Sequence, residues 1–266
     1  MYPIITVFGR EIGSYILCVL VGLLVSGTFF GVRGKKIGLH SEDVVLLLLI
    51  VAVGMAFGGS LLYGLLHAGI LIRLLGSLSK YSLQEIWQVL QYCFGGSVFY
   101  GGLIGATTGF FLYARKYDKE KQVILRDLFA MSIPLFHTFG RIGCFFGGCC
   151  YGIPSKFGVT VHNNPLVPEL NDVCRFPVAL AESALDLGIF LVLFALNKKG
   201  KLKGKLIALY GLLYAMVRFS LEFLRGDVVR GFLWGLSTSQ WISMILFIAC
   251  SVYLAKVLYA RSARHK

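Results

Sequence analysis

The chain has 266 residues, 57% of them hydrophobic, and a mean hydropathy of +0.76. Soluble domains run near half apolar, so this excess excludes an ordinary water-soluble fold and points to lipid. A net charge of +13 would suggest nucleic acid in a soluble chain; here the Lys and Arg stand mostly between apolar runs, which reads as membrane topology and anionic headgroups.

The opening stretch, "MYPIITVFGREIGSYILCVLVG", carries no basic leader and no small-residue cleavage site, so its apolar part is expected to remain as a span. Seven spans are predicted in chain order, at roughly 12–32, 44–72, 95–114, 126–146, 179–196, 206–224 and 239–258. Each approaches the roughly 20 residues that cross a bilayer core of about 30 Å. The second run is long enough to tilt or to leave the membrane before its end. "SKYSLQEIWQVLQYCF" (79–94) reads either as a partly amphipathic interfacial segment or as a simple hairpin, and "NNPLVPEL" (163–170) as an irregular loop. With no repeat and no long linker, the expectation is one all-α polytopic domain over 1–266, with small arms near 73–94 and 147–178.

Basic clusters follow every second span: "RGKK" (33–36), "RKYDKEKQVILR" (115–126), "KKGKLKGK" (198–205) and "ARSARHK" (260–266). The positive-inside rule puts these in the cytoplasm and the N-terminus outside, in agreement with an odd number of spans.

Charges inside spans are costly, so each one asks for a reason. Arg141 lies in "GRIGCFFGGCCYG" (140–152), among apolar residues and glycines. Arg218 and Glu222, spaced i, i+4 in "YAMVRFSLEFLRGD", share a helix face and are expected to pair. Arg225 extends that face outward, and Glu182 sits early in the fifth span. Two glycine clusters, Gly101, Gly102, Gly105 and Gly109 in "YGGLIGATTG" and Gly140 and Gly143 in the Arg141 stretch, lie near these charges. Small residues serve close helix packing. Bare backbone N–H groups beside a guanidinium also suit a phosphate.

At these residues the chain resembles the prolipoprotein diacylglyceryl transferase family. The family run G-R-[ILV]-G-N-F-[IL]-N-x-E-x-x-G reads here Gly140, Arg141, Ile142, Gly143, Cys144, Phe145, closing at Gly152. The family's H-G-G-L-I-G reads Tyr100, Gly101, Gly102, Leu103, Ile104, Gly105, with Trp87 and Gly96 on its approach. "GGSLLYG" (58–64), "RFPVALAE" (175–182), "RFSLEFLRGD" (218–227), "LSTSQW" (236–241) and Tyr15 extend the likeness in order along nearly the whole chain. The sequence departs where Tyr100 stands for the histidine, Cys144 for the asparagine and Cys149 for the glutamate.

The resemblance implies seven spans in the bacterial cytoplasmic membrane and a site toward the outer face. It implies transfer of a diacylglyceryl group from phosphatidylglycerol to a prolipoprotein lipobox cysteine, with release of glycerol phosphate and no cofactor or metal. Arg141, Arg225, Tyr100 and Cys149 are then the catalytic candidates. Tyr15, Gly101, Gly102, Gly105, Gly140, Gly143, Cys144, Glu182, Arg218 and Glu222 are the substrate-binding ones. The changed positions leave two alternatives: a paralogue with another acceptor, and a non-catalytic phospholipid-binding or transport protein.

In such a reaction charge grows on the leaving phosphate, and one well-aimed donor is worth about 3–4 kcal/mol of barrier. The attacking thiol, with a reference pKa near 8.5, also needs activation. Tyr100 is a poor base at about 10, whereas His137, one turn before Arg141, can substitute or can simply pack. Cys149 and Cys150 admit four readings: a relay thiol, a disulfide with Cys174, a metal site with Cys144 and a histidine, or packing. The C-x4-C-C spacing is not a usual zinc pattern.

Overall fold

The computed structural model describes residues 3–7, 9–77, 80–96, 98–162, 164, 167–227 and 231–263; the side chains of 7, 99, 100 and 261–263 lie outside that description. The chain divides into two compact units, 34–122 and 1–33 with 123–266.

Among the described residues six helices are long and apolar enough to cross a membrane, and a shorter apolar helix covers 101–114. The protein is a polytopic, all-α membrane protein. Its burial pattern differs from that of a soluble fold at both ends of the polarity scale. Leu24, Val53, Phe57, Ile104 and Ile245 are exposed, while Asp127, Glu182, Asp186, Arg218 and Glu222 are buried. Lipid tails are as apolar as leucine, so outward apolar side chains cost nothing there.

In unit 34–122, α2 (Ser41–Leu66) packs along α5 (Phe99–Ala114). The apolar run predicted as one span over 44–72 breaks at His67, and a separate helix α3 (Ala68–Leu75) follows. The segment after it forms α4 (Leu83–Phe94), an amphipathic helix opened by a capping box between Ser82 and Glu85. The α2–α5 contact is backbone on backbone. A Cβ at Gly101 would meet the Gly58 carbonyl oxygen, and one at Gly105 would collide with that of Gly54.

The other unit begins with a hairpin, β1 (Ile4–Val7) and β2 (Arg10–Gly13), which feeds α1 (Ser14–Lys35). Then come α6 (Lys119–Gly147), whose first turn belongs to the other unit, α7 (Val178–Lys198), α8 (Leu206–Leu221) and α9 (Thr238–Ala263). Two small antiparallel pairs join them: β3 (Pro154–Thr160) with β4 (Cys174–Arg175), and β5 (Phe232–Leu233) with β6 (Leu236–Ser237). The hydropathy pattern does not register such short strands. Of "NNPLVPEL", Pro168–Leu170 forms a 3-10 turn, while residues 163, 165 and 166 are outside the described residues.

Polar contacts along α6 brace it and tie it to its neighbours. Ser183 Oγ donates to the Thr138 carbonyl at 2.9 Å, which locks α7 against α6 beside Glu182. Pro134 interrupts the α6 ladder, and Thr138 Oγ1 donates back to its carbonyl at 2.9 Å. Asp127 accepts from the Gly204 and Leu206 N–H groups at 2.6 and 3.2 Å, tying the start of α8 to α6.

Candidate active site

Glu182 is the hub of a buried charge cluster. It sits in the second turn of α7, 2% exposed, between Arg141 of α6 and Arg218 of α8. Its Oε1 lies 2.9 Å from Arg141 Nη2 and its Oε2 lies 3.6 Å from Arg218 Nη1. The first approach is a charge contact without a directed hydrogen bond at Oε1. Arg218 also meets Glu222 at 2.9 Å and donates from Nε to Ser239 Oγ at 3.0 Å. The i, i+4 pair expected from the sequence is therefore present. Ser239 is set at the start of α9 by reciprocal capping, in which Gln240 N–H donates to Ser237 Oγ and Gln240 Oε1 accepts from Ser237 N–H.

Arg225 follows the 3-10 turn that carries Glu222. Its guanidinium holds Asp227 through Nε at 2.9 Å and Nη2 at 2.5 Å. Backbone pairing fixes this segment: Ile153 N–H donates to the Leu224 carbonyl, and Gly226 N–H donates to the Tyr151 carbonyl. Gly152 is required there, since a Cβ would run into the Phe176 and Leu224 carbonyl oxygens.

That pairing delivers Cys150 to the two cations. Arg141 Nη1 donates to its Sγ at 3.9 Å and Arg225 Nη2 donates at 3.7 Å. Hydrogen bonds from the Cys144 and Cys149 thiols, with Arg141 and Arg225 close by, hold the Cys150 thiol far below the usual thiol range. Arg141 Nε is buried with no hydrogen-bond partner among the described residues. Gly140, beside it, has nothing within 4 Å of where a Cβ would stand.

Cys150 also lines a small pocket with Phe145, Tyr151, Val161, Arg175 and Phe176. Arg175 stacks over the Tyr151 ring at 5.0 Å.

The other sequence candidates sort as follows. Tyr15 opens α1 and lies against Gly143, where a Cβ would come within 3.1 Å of its Cδ2; Cys18 bounds the same spot at 3.0 Å. Gly143 thus serves the close approach of α1. Gly101, Gly102 and Gly105 are in the other unit, and their close contacts are with α2, at Gly58, Met55 and Gly54. The Tyr100 side chain lies outside the described residues. His137 is buried against Asp186, at 3.5 Å, and the Tyr214 ring, at 5.3 Å. All seven cysteines, Cys174 included, are free thiols, so the disulfide reading is overturned. Cys144, Cys149 and Cys150 instead cluster, with their sulfurs all within 4.8 Å of one another.

Two members of the site went unremarked in the sequence. Asp227 closes the "RFSLEFLRGD" stretch, where nothing local marks it as the clamp of Arg225. Asp186 had a signal, since a carboxylate four residues after Glu182 in an apolar span falls on the same helix face.

Residues 3–256 match the family model described as prolipoprotein diacylglyceryl transferase. The chain is similar to the phosphatidylglycerol–prolipoprotein diacylglyceryl transferase of Clostridium tetani, at 32% identity over 93% of this chain and 94% of that one. It is likewise similar to the second such enzyme of Clostridium perfringens, at 31% identity over 91% and 90%. The Campylobacter jejuni enzyme of the same name is 30% identical over 94% and 91%.

Proposed function

The chain belongs to the prolipoprotein diacylglyceryl transferase family, and on that premise we propose that it moves the diacylglyceryl group of phosphatidylglycerol onto the lipobox cysteine of a prolipoprotein. The acceptor thiolate attacks the diacylglycerol carbon bonded to phosphate oxygen. That C–O bond breaks, a C–S bond forms, and glycerol phosphate leaves with the electron pair.

One observation carries the reading: two guanidiniums from separate segments, Arg141 and Arg225, converge on a single point at the wall of a small pocket. They are the groups to bind the phosphodiester and to take up charge as the leaving oxygen develops it. Arg141 Nε, buried and without a hydrogen-bond partner among the described residues, is a further donor. Glu182, Arg218 and Glu222 hold the cations in place, acting as positioning residues. Tyr15 marks the edge of the site on α1, and Cys144 and Cys149 flank the thiol on which the cations meet.

The enzyme is read as sitting in the bacterial cytoplasmic membrane with seven spans, α5 being the short one, and with the N-terminus outside. The basic connectors support the cytoplasmic assignment of their side, which leaves the Arg141 end of α6 toward the outer leaflet.

The test is reconstitution with phosphatidylglycerol and a lipobox peptide. The expected result is a peptide mass gain equal to the diacylglyceryl group with equimolar glycerol phosphate. Arg141→Ala should lower turnover by roughly 100–1000-fold, the cost of about one such donor. Lipid binding without peptide modification would refute the reading in favour of a phospholipid-binding protein.

A further inference from the structure

The three cysteines beside Arg141 have no part in the reaction as described. Cys144 closes the last turn of α6, and Cys149 and Cys150 follow it. Read linearly, C-x4-C-C is not a zinc spacing. Gly148 changes that. It takes a left-handed φ of +73° and folds the chain back on the helix end, with its N–H donating to the Cys144 carbonyl at 3.0 Å. All three sulfurs then fall within 4.8 Å of one another, and Cys149 Sγ and Cys150 Sγ are 3.9 Å apart. Thiolates bound tetrahedrally at about 2.3 Å stand roughly 3.8 Å apart.

We propose that Cys144, Cys149 and Cys150 form a three-thiolate site for a thiophilic divalent ion, Zn²⁺, whose fourth position opens toward the pocket at Cys150. Three independent features agree with this. Thiolate ligands select soft or borderline ions over Mg²⁺ and Ca²⁺. Outer partners are in place, since Arg141 and Arg225 both donate to Cys150 Sγ. The charge stays small too: three thiolates and one divalent cation leave a net −1, which Arg141 and Arg225 meet as hydrogen-bond donors while remaining paired with Glu182 and Asp227. Binding releases the protons of whichever thiols are not already ionised, and they pass to solvent.

Three protein ligands and an open fourth position make a reactive rather than a purely structural arrangement. Resting on the function proposed above, the ligand for that position is the acceptor cysteine itself. A thiol that coordinates such an ion loses its proton outright, to solvent, and remains a nucleophile. The bound sulfur then attacks the lipid carbon, and the phosphate leaves toward Arg141 and Arg225. Metal coordination would thus supply the activation that Tyr100 is ill suited to give.

The experiment uses the full-length protein, purified in detergent under reducing, oxygen-free conditions, stripped with a chelator and titrated with Co²⁺ and then Zn²⁺. One Co²⁺ per chain with thiolate-to-metal charge-transfer absorption, displaced by one Zn²⁺, is expected. Cys149→Ser, a change at an exposed thiol that leaves folding intact, and Cys150→Ser should abolish that absorption, whereas Cys250→Ser should retain it. Arg225→Gln should weaken Zn²⁺ binding by about 10–100-fold. Absence of stoichiometric metal in the reduced protein, or a spectrum unchanged in both serine variants, overturns the site. Adding a lipobox peptide should shift the Co²⁺ spectrum and a serine-substituted peptide should not; no shift overturns the fourth-ligand assignment. Transfer activity is read separately. Full turnover by metal-free protein defeats the metal role and leaves the transferase standing, while metal binding with no turnover in any metal state defeats the transferase and leaves the site.

Discussion

Glu182→Gln tests whether one carboxylate organises the site. Its two oxygens divide between Arg141 at 2.9 Å and Arg218 at 3.6 Å. The two cations do not lose equally. Arg218 keeps Glu222 at 2.9 Å and Ser239 at 3.0 Å, whereas the contact given for Arg141 after the change is the long one to Cys150 Sγ at 3.9 Å. Removing one partner of a buried pair typically costs 3–5 kcal/mol. The amide oxygen of glutamine still accepts one hydrogen bond, so the lower end, about 3 kcal/mol, is expected. At roughly 2–4 °C per kcal/mol for a chain of this size, the midpoint should fall by about 6–12 °C in detergent. The informative measurement is a double-mutant cycle with Arg141→Met, because the double variant leaves neither charge orphaned at this contact. Its destabilisation should be smaller than the sum of the singles by about 1–3 kcal/mol. Additivity within about 0.5 kcal/mol would refute the argument that Glu182 holds Arg141.

Two glycines should respond in opposite ways to the same substitution. At Gly105 an added methyl collides with the Gly54 carbonyl, so Gly105→Ala should destabilise unit 34–122 by about 1–3 kcal/mol, seen as faster amide exchange in α2 and α5. At Gly140 there is nothing within 4 Å, so Gly140→Ala should leave stability unchanged or raise it by up to about 1 kcal/mol through helix propensity. If that open space receives the phosphate, the same variant loses turnover with phosphatidylglycerol; a Gly140→Ala enzyme with unaltered kinetics would remove the space from the binding site.

The spans were legible because a bilayer imposes length and apolarity on each segment by itself, without reference to its neighbours. The Arg218–Glu222 pair was legible for the same kind of reason, since i, i+4 spacing is local. Glu182 could be flagged as a charge in a span, but not as the bridge between Arg141 and Arg218, because that bridge depends on how α6 and α7 meet at Thr138 and Ser183. The glycine clusters look alike in one dimension and differ in three. Gly105 is pressed against α2 while Gly140 faces open space, and no residue within either motif announces the difference. His67 broke the second span for a reason periodicity cannot carry, since the apolar content continues through α3. Gly148 is the sharpest case: one left-handed residue turns a linear spacing with no metal signature into a triangle of sulfurs.

The charges of the site explain how its centre tolerates change. Arg141, Arg218 and Arg225 are met by Glu182, Glu222 and Asp227, so these ion pairs balance one another before any substrate arrives. A frame of balanced pairs can fold and stay buried without a ligand to complete it, which an excess of guanidinium charge in a membrane could not. It follows that phosphate affinity cannot rest on surplus positive charge. It must come from donors already aimed and not fully used, of which Arg141 Nε is the clearest. It follows too that residues inside the frame, Cys144, Cys149 and Cys150 among them, can differ in chemistry without disturbing the pairs that hold it. The part of the molecule that keeps the fold and the part that activates the nucleophile are therefore separable. Cys149→Ser should leave the Glu182 pairing intact while altering the reaction, and Glu182→Gln should loosen both.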